Sequence, residues 1–339
     1  MRAATELWVK QLTIDRAEQI LAVLDTVAPD VWVSHNTLAW LVELQAVPTA
    51  TPIVVGHLFP MMIPSRHRTP PMLPLPAWGV QVLNRAAWRL GRFMTARLMY
   101  DEEINELRAT RGLPPAQAHV GFGWERAQQV LLLSSEHYWP RPPDWQHITY
   151  TGFTIWGDPT DRLPADLSSY LDDGPPPVLV TLGTSAASNA RDGFELAAAA
   201  IEKTGERPLL LVGNQRNRAA LADRDDVWTF GSLPAVLTAC KAVVHAAGHG
   251  TTAAALHAAI PQVVMPQTFD QVEHARRLGE LGVGATVPWK HRSQRRLERG
   301  LRNALAPAVS HRARQIAEHL RGEDGPSTAA DTIETAVAQ

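Results

Sequence analysis

From about residue 178 onward, short apolar runs alternate with helical stretches, and the runs end at small-residue turns or a proline. Residues 178–182 run into Gly183-Thr184-Ser185, residues 209–212 stop at Gly213, and residues 242–244 lead into His245-Ala246-Ala247-Gly248. A fourth run, 262–265, stops at Pro266, and 194–202, 235–239 and 271–281 read as the intervening helices. Apolar strands separated by helices imply a parallel sheet covered on both faces. Ligands of such a sheet bind at the carboxyl ends of its strands.

Upstream, 31–33, 53–55 and 130–133 are further short strands, with helices expected near 17–26, 78–105 and 123–129. The breakers Asp158-Pro159 and Asp172-Asp173-Gly174-Pro175-Pro176-Pro177 separate the two regions. The expected organisation is a Rossmann-like domain over 1–157, a linker over 158–177, a second Rossmann-like domain over 178–322, and a terminal segment 323–339 with a helix at 328–337. A chain of 339 residues can supply two cores. Its net charge of −2 gives no electrostatic reason to expect nucleic acid. The single cysteine, Cys240, rules out an internal disulfide and fits a reducing cytoplasm. Met1-Arg2-Ala3-Ala4-Thr5-Glu6 lacks the apolar core of a signal peptide, and no apolar run approaches a membrane span. The expectation is a cytoplasmic protein.

The most informative stretch is His245-Ala246-Ala247-Gly248-His249-Gly250-Thr251-Thr252, followed by Pro261-Gln262-Val263-Val264-Met265-Pro266 and Asp270-Gln271. A strand, a small-residue turn and a helix start place backbone N–H groups and the positive end of a helix dipole together, which suits a diphosphate. Gly248 and Gly250 carry no Cβ, so a bulky anion can approach the backbone. Asp270 and Gln271 add acceptors and a carboxamide suited to several hydroxyls. A phosphate cradle beside a hydroxyl grip points to a nucleotide-sugar.

Residues 228–284 resemble the donor-binding signature of family 1 glycosyltransferases of the GT-B fold. The resemblance is carried by Phe230-Gly231-Ser232-Leu233-Pro234, Val243 to Thr252, Ile260-Pro261-Gln262, Pro266, Asp270-Gln271 and Leu281-Gly282-Val283-Gly284. It is nearest to bacterial enzymes that glycosylate lipids, sterols and antibiotic aglycones. It implies two Rossmann-like domains facing across a cleft, a C-terminal helix over 323–339 that returns to the N-terminal domain, and inverting transfer of a hexose from a UDP- or dTDP-sugar to an acceptor hydroxyl. No metal or other cofactor is expected, the nucleotide-sugar being a substrate. Backbone groups at Ser232-Leu233 would lie against the base.

Three positions depart from the family pattern. Family members open with a strand and a glycine-histidine loop whose histidine is the general base, and nothing of that kind occurs near Met1. The N-terminal domain is therefore expected to be truncated by two or three βα units. The aspartate that commonly orients the base is replaced by His35, and the diphosphate-touching histidine by Ala246; His245, one place earlier, is expected either to make that contact with a shifted reach or to leave the diphosphate to backbone donors.

Each candidate also has a plainer explanation. Asp270 suits a helix N-cap; Thr184 and Ser185 can contact the diphosphate or close the acceptor side, or cap the next helix; and Ser232-Leu233 suits a simple turn. His249 serves equally as a phosphate donor or a loop residue, and His35 and His57 are stand-in bases or pocket-lining side chains. Arg85, Arg89 and Arg92 form one stripe in 77–100, a segment suited to peripheral membrane contact or to lining an apolar acceptor pocket with a solvated charged face. The leading expectation is a glycosyltransferase of an apolar hydroxylated acceptor, weakly active without its base. An inactive nucleotide-sugar-binding or partner protein is the alternative, and a nucleotide-sugar epimerase a third. Binding without turnover marks the second, and acidic catalytic groups, not found here, would mark the third.

Overall fold

The computed structural model describes residues 10–11, 13–70, 80–155, 157, 162–183, 190–229, 232–267 and 269–338. The chain divides into two compact units, Met1–Thr154 with Asp324–Gln339, and Ile155–Glu323.

In the first unit, β1 (Trp32–His35), β2 (Ile53–His57), β3 (Gln129–Leu132) and β4 (Ile148–Tyr150) form a parallel sheet in sequence order. Period-two alternation sets its two faces. Ile53, Val55, Val130 and Leu132 pack with Ala39, Val42 and Ala46 of a neighbouring helix, while Val54 and Leu131 point to the other side. The helices are α1 (Ala17–Leu24), α2 (Ala39–Thr49), α3 (Val80–Leu98), α4 (Asp101–Thr110) and α5 (His119–Phe122). The single helix expected over 78–105 is two. Tyr100 takes a left-handed backbone (φ 62°) that ends the first, and Asp101-Glu102-Glu103 open the second against its dipole. Residues 123–126 form a tight 3-10 turn in place of the helix expected at 123–129.

In the second unit, the helices are α6 (Ala165–Asp172), α7 (Ala190–Lys203), α8 (Gln215–Ala220), α9 (Leu233–Leu237), α10 (His249–His257), α11 (Phe269–Leu281), α12 (Gln294–Ala304) and α13 (Pro307–Leu320). The strands are β5 (Val178–Thr181), β6 (Pro208–Leu211), β7 (Val227–Trp228), β8 (Ala242–His245), β9 (Gln262–Val264) and β10 (Gly284–Thr286). They lie in the order β10-β9-β8-β5-β6-β7, all parallel. Val178 and Val180 pack under Phe194, Ala197 and Ile201 of α7 and Leu297 and Leu301 of α12. Leu179, between them, packs on the opposite face with Leu167, Val236 and Ala254. The expected linker therefore contains α6, which belongs to the core: Leu163, Leu167, Tyr170 and Leu171 recur at helical spacing, and Leu167 is fully buried.

The last helix, α14 (Gly325–Val337), belongs to the first unit. Ala336 packs with Val54 and Leu131, joined by Ala329 and Ile333. Asp324 caps it by accepting from the Ser327 N–H at 3.1 Å. A Cβ at Gly325 would overlap the carbonyl of Phe153, so glycine is required where this helix meets the chain.

Candidate functional site

The strand order reverses between β5 and its neighbour β8: the chain winds outward through β6 and β7, then returns and winds the other way through β9 and β10. In open α/β sheets the crevice at that switch point is where ligands enter. Because all six strands are parallel, the turns after β5, β7, β8 and β9 lie along one carboxyl edge. The sequence candidates of this unit are thereby brought to a single edge, except Thr184 and Ser185, which lie outside the described residues.

The turn after β8 is fastened from within. His245 is fully buried; its Nδ1 accepts from the Ala247 N–H at 3.2 Å, and its Nε2 lies 2.9 Å from Gln262 Oε1. An Nδ1 that accepts places the ring proton on Nε2, so Nε2 donates to Gln262. The Gln262 amide reaches on toward the Thr252 carbonyl at 3.5 Å. Burial depresses the basicity of His245 to about 4, so the ring is neutral at physiological pH. Both nitrogens are thus occupied inside the protein, and the turn is tied to the adjacent strand and to the helix that follows.

That helix, α10, starts at His249 with Gly248 as its N-cap, and no side chain caps it. Its opening N–H groups, on His249, Gly250 and Thr251, have no carbonyl within their own helix to bond. Ala247 holds a left-handed backbone (φ 65°), but Gly248 does not (φ −66°). A Cβ at Gly248 or Gly250 would meet nothing within 4 Å. Neither backbone conformation nor space requires glycine at Gly248, and space does not require it at Gly250.

After β9, Met265 and Pro266 are buried, and α11 begins at Phe269. Asp270 therefore sits in the first helical turn and is not the N-cap. Gln271 is buried and accepts from the Gln267 N–H at 2.8 Å, turning the loop back on its helix. Gln267 keeps a buried side-chain Nε2 without a hydrogen-bond partner. His249 is half-buried, with its ring 5.4 Å from that of fully buried His274. At the far end of the edge, Ser232 is buried as the N-cap of α9, and Leu233 is that helix's first residue. Phe230 and Gly231 lie outside the described residues. Sequence reasoning missed the role of Gln262 and the proximity of His274 to His249. A glutamine opening an apolar strand was a usable signal for Gln262; nothing in the sequence indicated His274.

The two histidines of the first unit end neighbouring strands. His35 is exposed, and its Nδ1 is held by Thr37, 2.9 Å from the hydroxyl. His57 is buried with its ring edge-on to Trp124 at 5.3 Å, and neither nitrogen has a hydrogen-bond partner. Desolvation, helped by His35, holds its basicity down to about 3. Among the described residues no three metal-ligating side chains come together, and no helix is long and apolar enough to cross a membrane.

Residues 212–335 match the family described as Erythromycin biosynthesis protein CIII-like, C-terminal domain. The chain is 32% identical over 249 residues to an O-mycaminosyltylonolide 6-deoxyallosyltransferase of Streptomyces fradiae, covering 68% of this chain and 56% of the relative. It is 31% identical over 291 residues to a vancomycin aglycone glucosyltransferase of Amycolatopsis orientalis, covering 83% of this chain and 67% of the relative. Among solved structures, a glycosyltransferase of kitacinnamycin superposes with a TM-score of 0.71 at 18% identity, over 99% of this chain and 83% of that one. The chain belongs to the family of GT-B, nucleotide-sugar-dependent glycosyltransferases that includes the bacterial transferases of antibiotic aglycones. Family members move a sugar from a nucleoside-diphosphate donor to an acceptor hydroxyl.

Proposed function

We propose that the second unit binds a UDP- or dTDP-hexose along the carboxyl edge of its sheet and that the chain passes the sugar, with inversion, to a hydroxyl of a lipid or small apolar aglycone. The base would rest at Ser232-Leu233, the diphosphate on the turn from Gly248 to Thr251 with His249, and the sugar on Asp270 and Gln271. The order of these groups along the edge matches a nucleotide-sugar: β7, then β8, then β9. β7 and β8 are three interstrand steps apart, roughly 14 Å. Because both nitrogens of His245 are engaged, diphosphate contact at that strand end falls to backbone N–H groups. As the glycosidic bond breaks, the leaving diphosphate gains negative charge, and those N–H groups and the helix dipole stabilise it. Thr184 and Ser185, outside the described residues, are proposed from the sequence alone to contact the diphosphate or the acceptor side.

The observation that carries this reading is that Gly248 and Gly250 are glycines the fold does not require. Something approaching from outside would require them. Calorimetric titration of the whole chain with UDP, dTDP and GDP tests it, beside assays of hydrolysis and transfer on the matching sugars. Gly248→Ala should weaken nucleotide binding by about tenfold or more, the cost of displacing a close hydrogen-bonded anion, with the melting temperature lowered only slightly, because alanine caps a helix less well than glycine. Failure of every nucleotide to bind would remove the donor-site reading. Binding that Gly248→Ala leaves untouched would move it elsewhere.

A second reading, donor binding without turnover, is favoured by the state of the two histidines. A ring with a pKa of about 3 accepts a proton poorly at neutral pH, and His35 is held by Thr37. Nucleotide binding with neither hydrolysis nor transfer is its signature. We also propose a cytoplasmic location for the protein, in keeping with its one buried thiol, and a peripheral membrane contact at 77–100, which suits an apolar acceptor.

A further inference from the structure

α3 turns its inner side to the first unit through Asn84, which donates to the Arg66 carbonyl at 2.9 Å, and Trp88, which donates to the Arg68 carbonyl at 3.0 Å. The opposite side is apolar and open. Val82 is 80% exposed, Leu90 58% and Phe93 52%, and Leu83, Met94 and Leu98 are also exposed. At 100° per residue these six side chains fall within one arc of about 160° centred away from Asn84 and Trp88. An exposed apolar stripe roughly 25 Å long is unusual for a surface helix, whose outward face is ordinarily the charged one.

The charges carried by the helix itself are of one sign, while Glu125 and Asp144 lie beside it. α3 contains Arg85, Arg89, Arg92 and Arg97 and no acidic residue. Arg92 is neutralised by Glu125, which it contacts at 2.5 Å. Asp144, on the same side, accepts from Ser65 Oγ and the Arg66 N–H. Arg85 and Arg89, along one margin of the arc, have no ion pair among the described residues; Arg97 falls within the arc and reaches over the Phe93 ring at 5.6 Å. An apolar ridge bordered on one side by Arg85 and Arg89 matches the boundary of an anionic bilayer, where apolar side chains enter the acyl region and long cationic side chains reach the headgroups.

We infer that α3 is an interfacial anchor that seats the protein on anionic phospholipid through Leu83, Leu90, Phe93 and Met94, with Arg85 and Arg89 meeting the headgroups. The inference carries the membrane contact proposed above to named residues and a lipid class, and it stands whether or not the chain transfers sugar.

Flotation of the full chain with vesicles of phosphatidylcholine, alone or mixed with phosphatidylglycerol, tests it. Association is expected with the mixed vesicles only, and it should weaken as salt rises. Leu90→Glu with Phe93→Glu should abolish it, and Arg85→Glu with Arg89→Glu should reduce it by roughly fivefold or more per arginine. Both pairs are exposed, so circular dichroism should show an unchanged fold. Cys240 is buried, with its thiol pushed up to about 12, so a polarity-sensitive dye placed through Leu90→Cys reports on that site alone. Its emission should shift to the blue on mixed vesicles. The inference falls if no vesicle captures the chain, if both charge variants float like the parent, or if the dye does not respond. It falls equally if the chain self-associates without binding vesicles and Leu90→Glu with Phe93→Glu breaks that association, since a second copy would then cover the face.

Discussion

His57 and His245 occupy the same place in two sheets. Each is the last residue of a parallel strand, each is 1% exposed, and each has its basicity depressed by burial, to about 3 and about 4. They differ in what their nitrogens touch. His245 bonds its own turn and the neighbouring strand, and through Gln262 it ties α10 to the sheet. The His57 ring touches the edge of Trp124, and neither of its nitrogens has a hydrogen-bond partner. One histidine builds a loop; the other is a neutral polar group held in an apolar setting. Burial and basicity alone would have assigned both the same role.

The largest effect expected from this contrast comes from His245→Ala. It strands the Ala247 N–H and Gln262 Oε1 in the core, at about 1–3 kcal/mol each, and leaves a cavity besides. A loss of about 4 kcal/mol in urea unfolding is expected, with nucleotide affinity falling alongside because the turn is released. A loss below about 1 kcal/mol would mean that the network is not what holds the turn.

His57→Phe should do the reverse. An apolar ring of similar shape removes two buried nitrogens that lack partners, so stability at neutral pH should stay level or rise. The acid side sharpens this. Both folded-state pKa values lie below the ordinary 6.5, so the unfolded chain binds more protons as the pH falls through 6.5. Each ring then removes about 1.4 kcal/mol of stability per pH unit below that point, His245 down to about 4 and His57 down to about 3. His57→Phe should flatten the decline in denaturation midpoint by one ring's share. An unchanged slope in that variant would refute the neutral, unpartnered state of His57.

The second unit was far more legible in the sequence than the first. Its strands are buried on both faces and read as unbroken apolar runs, and the turns at 183, 213 and 248 marked their ends. What escaped there was two full helices beyond the last expected strand, α12 and α13, and elements that are short or half-exposed. β7 has two residues, and β10 is Gly-Ala-Thr at the sheet's edge, a composition no strand pattern would select. α6 was hidden between breakers, because Pro164 and Pro175 masked the Leu167-Tyr170-Leu171 spacing. In the first unit, the break at Tyr100 depends on one left-handed residue, which tertiary packing imposes and local propensity does not announce. At the candidate site, the glycines and Asp270-Gln271 were visible as residue types. The open space around Gly248 and the closed ring of bonds around His245 were not, because both depend on neighbours across the sheet.

The finest test compares two glycines of the second unit. At Gly284 a Cβ would stand 2.9 Å from the Gln262 carbonyl oxygen and 3.3 Å from Leu278 Cβ, both parts of the packed core. Gly284→Ala should cost about 1–2 kcal/mol through forced backbone movement. β10 is the sheet's outer strand, away from the switch point, so nucleotide affinity should hold. Gly250 lies in the first turn of α10, exposed, with nothing near its absent Cβ. Gly250→Ala should raise stability by a few tenths of a kcal/mol, the helix-propensity gain reduced by its place at the helix start. It should nevertheless weaken nucleotide binding, because the added methyl group stands where an anion would approach. Thermal unfolding and titration on one preparation read both quantities. A Gly250→Ala protein that is more stable and binds nucleotide as well as the parent would show that this glycine serves neither fold nor ligand.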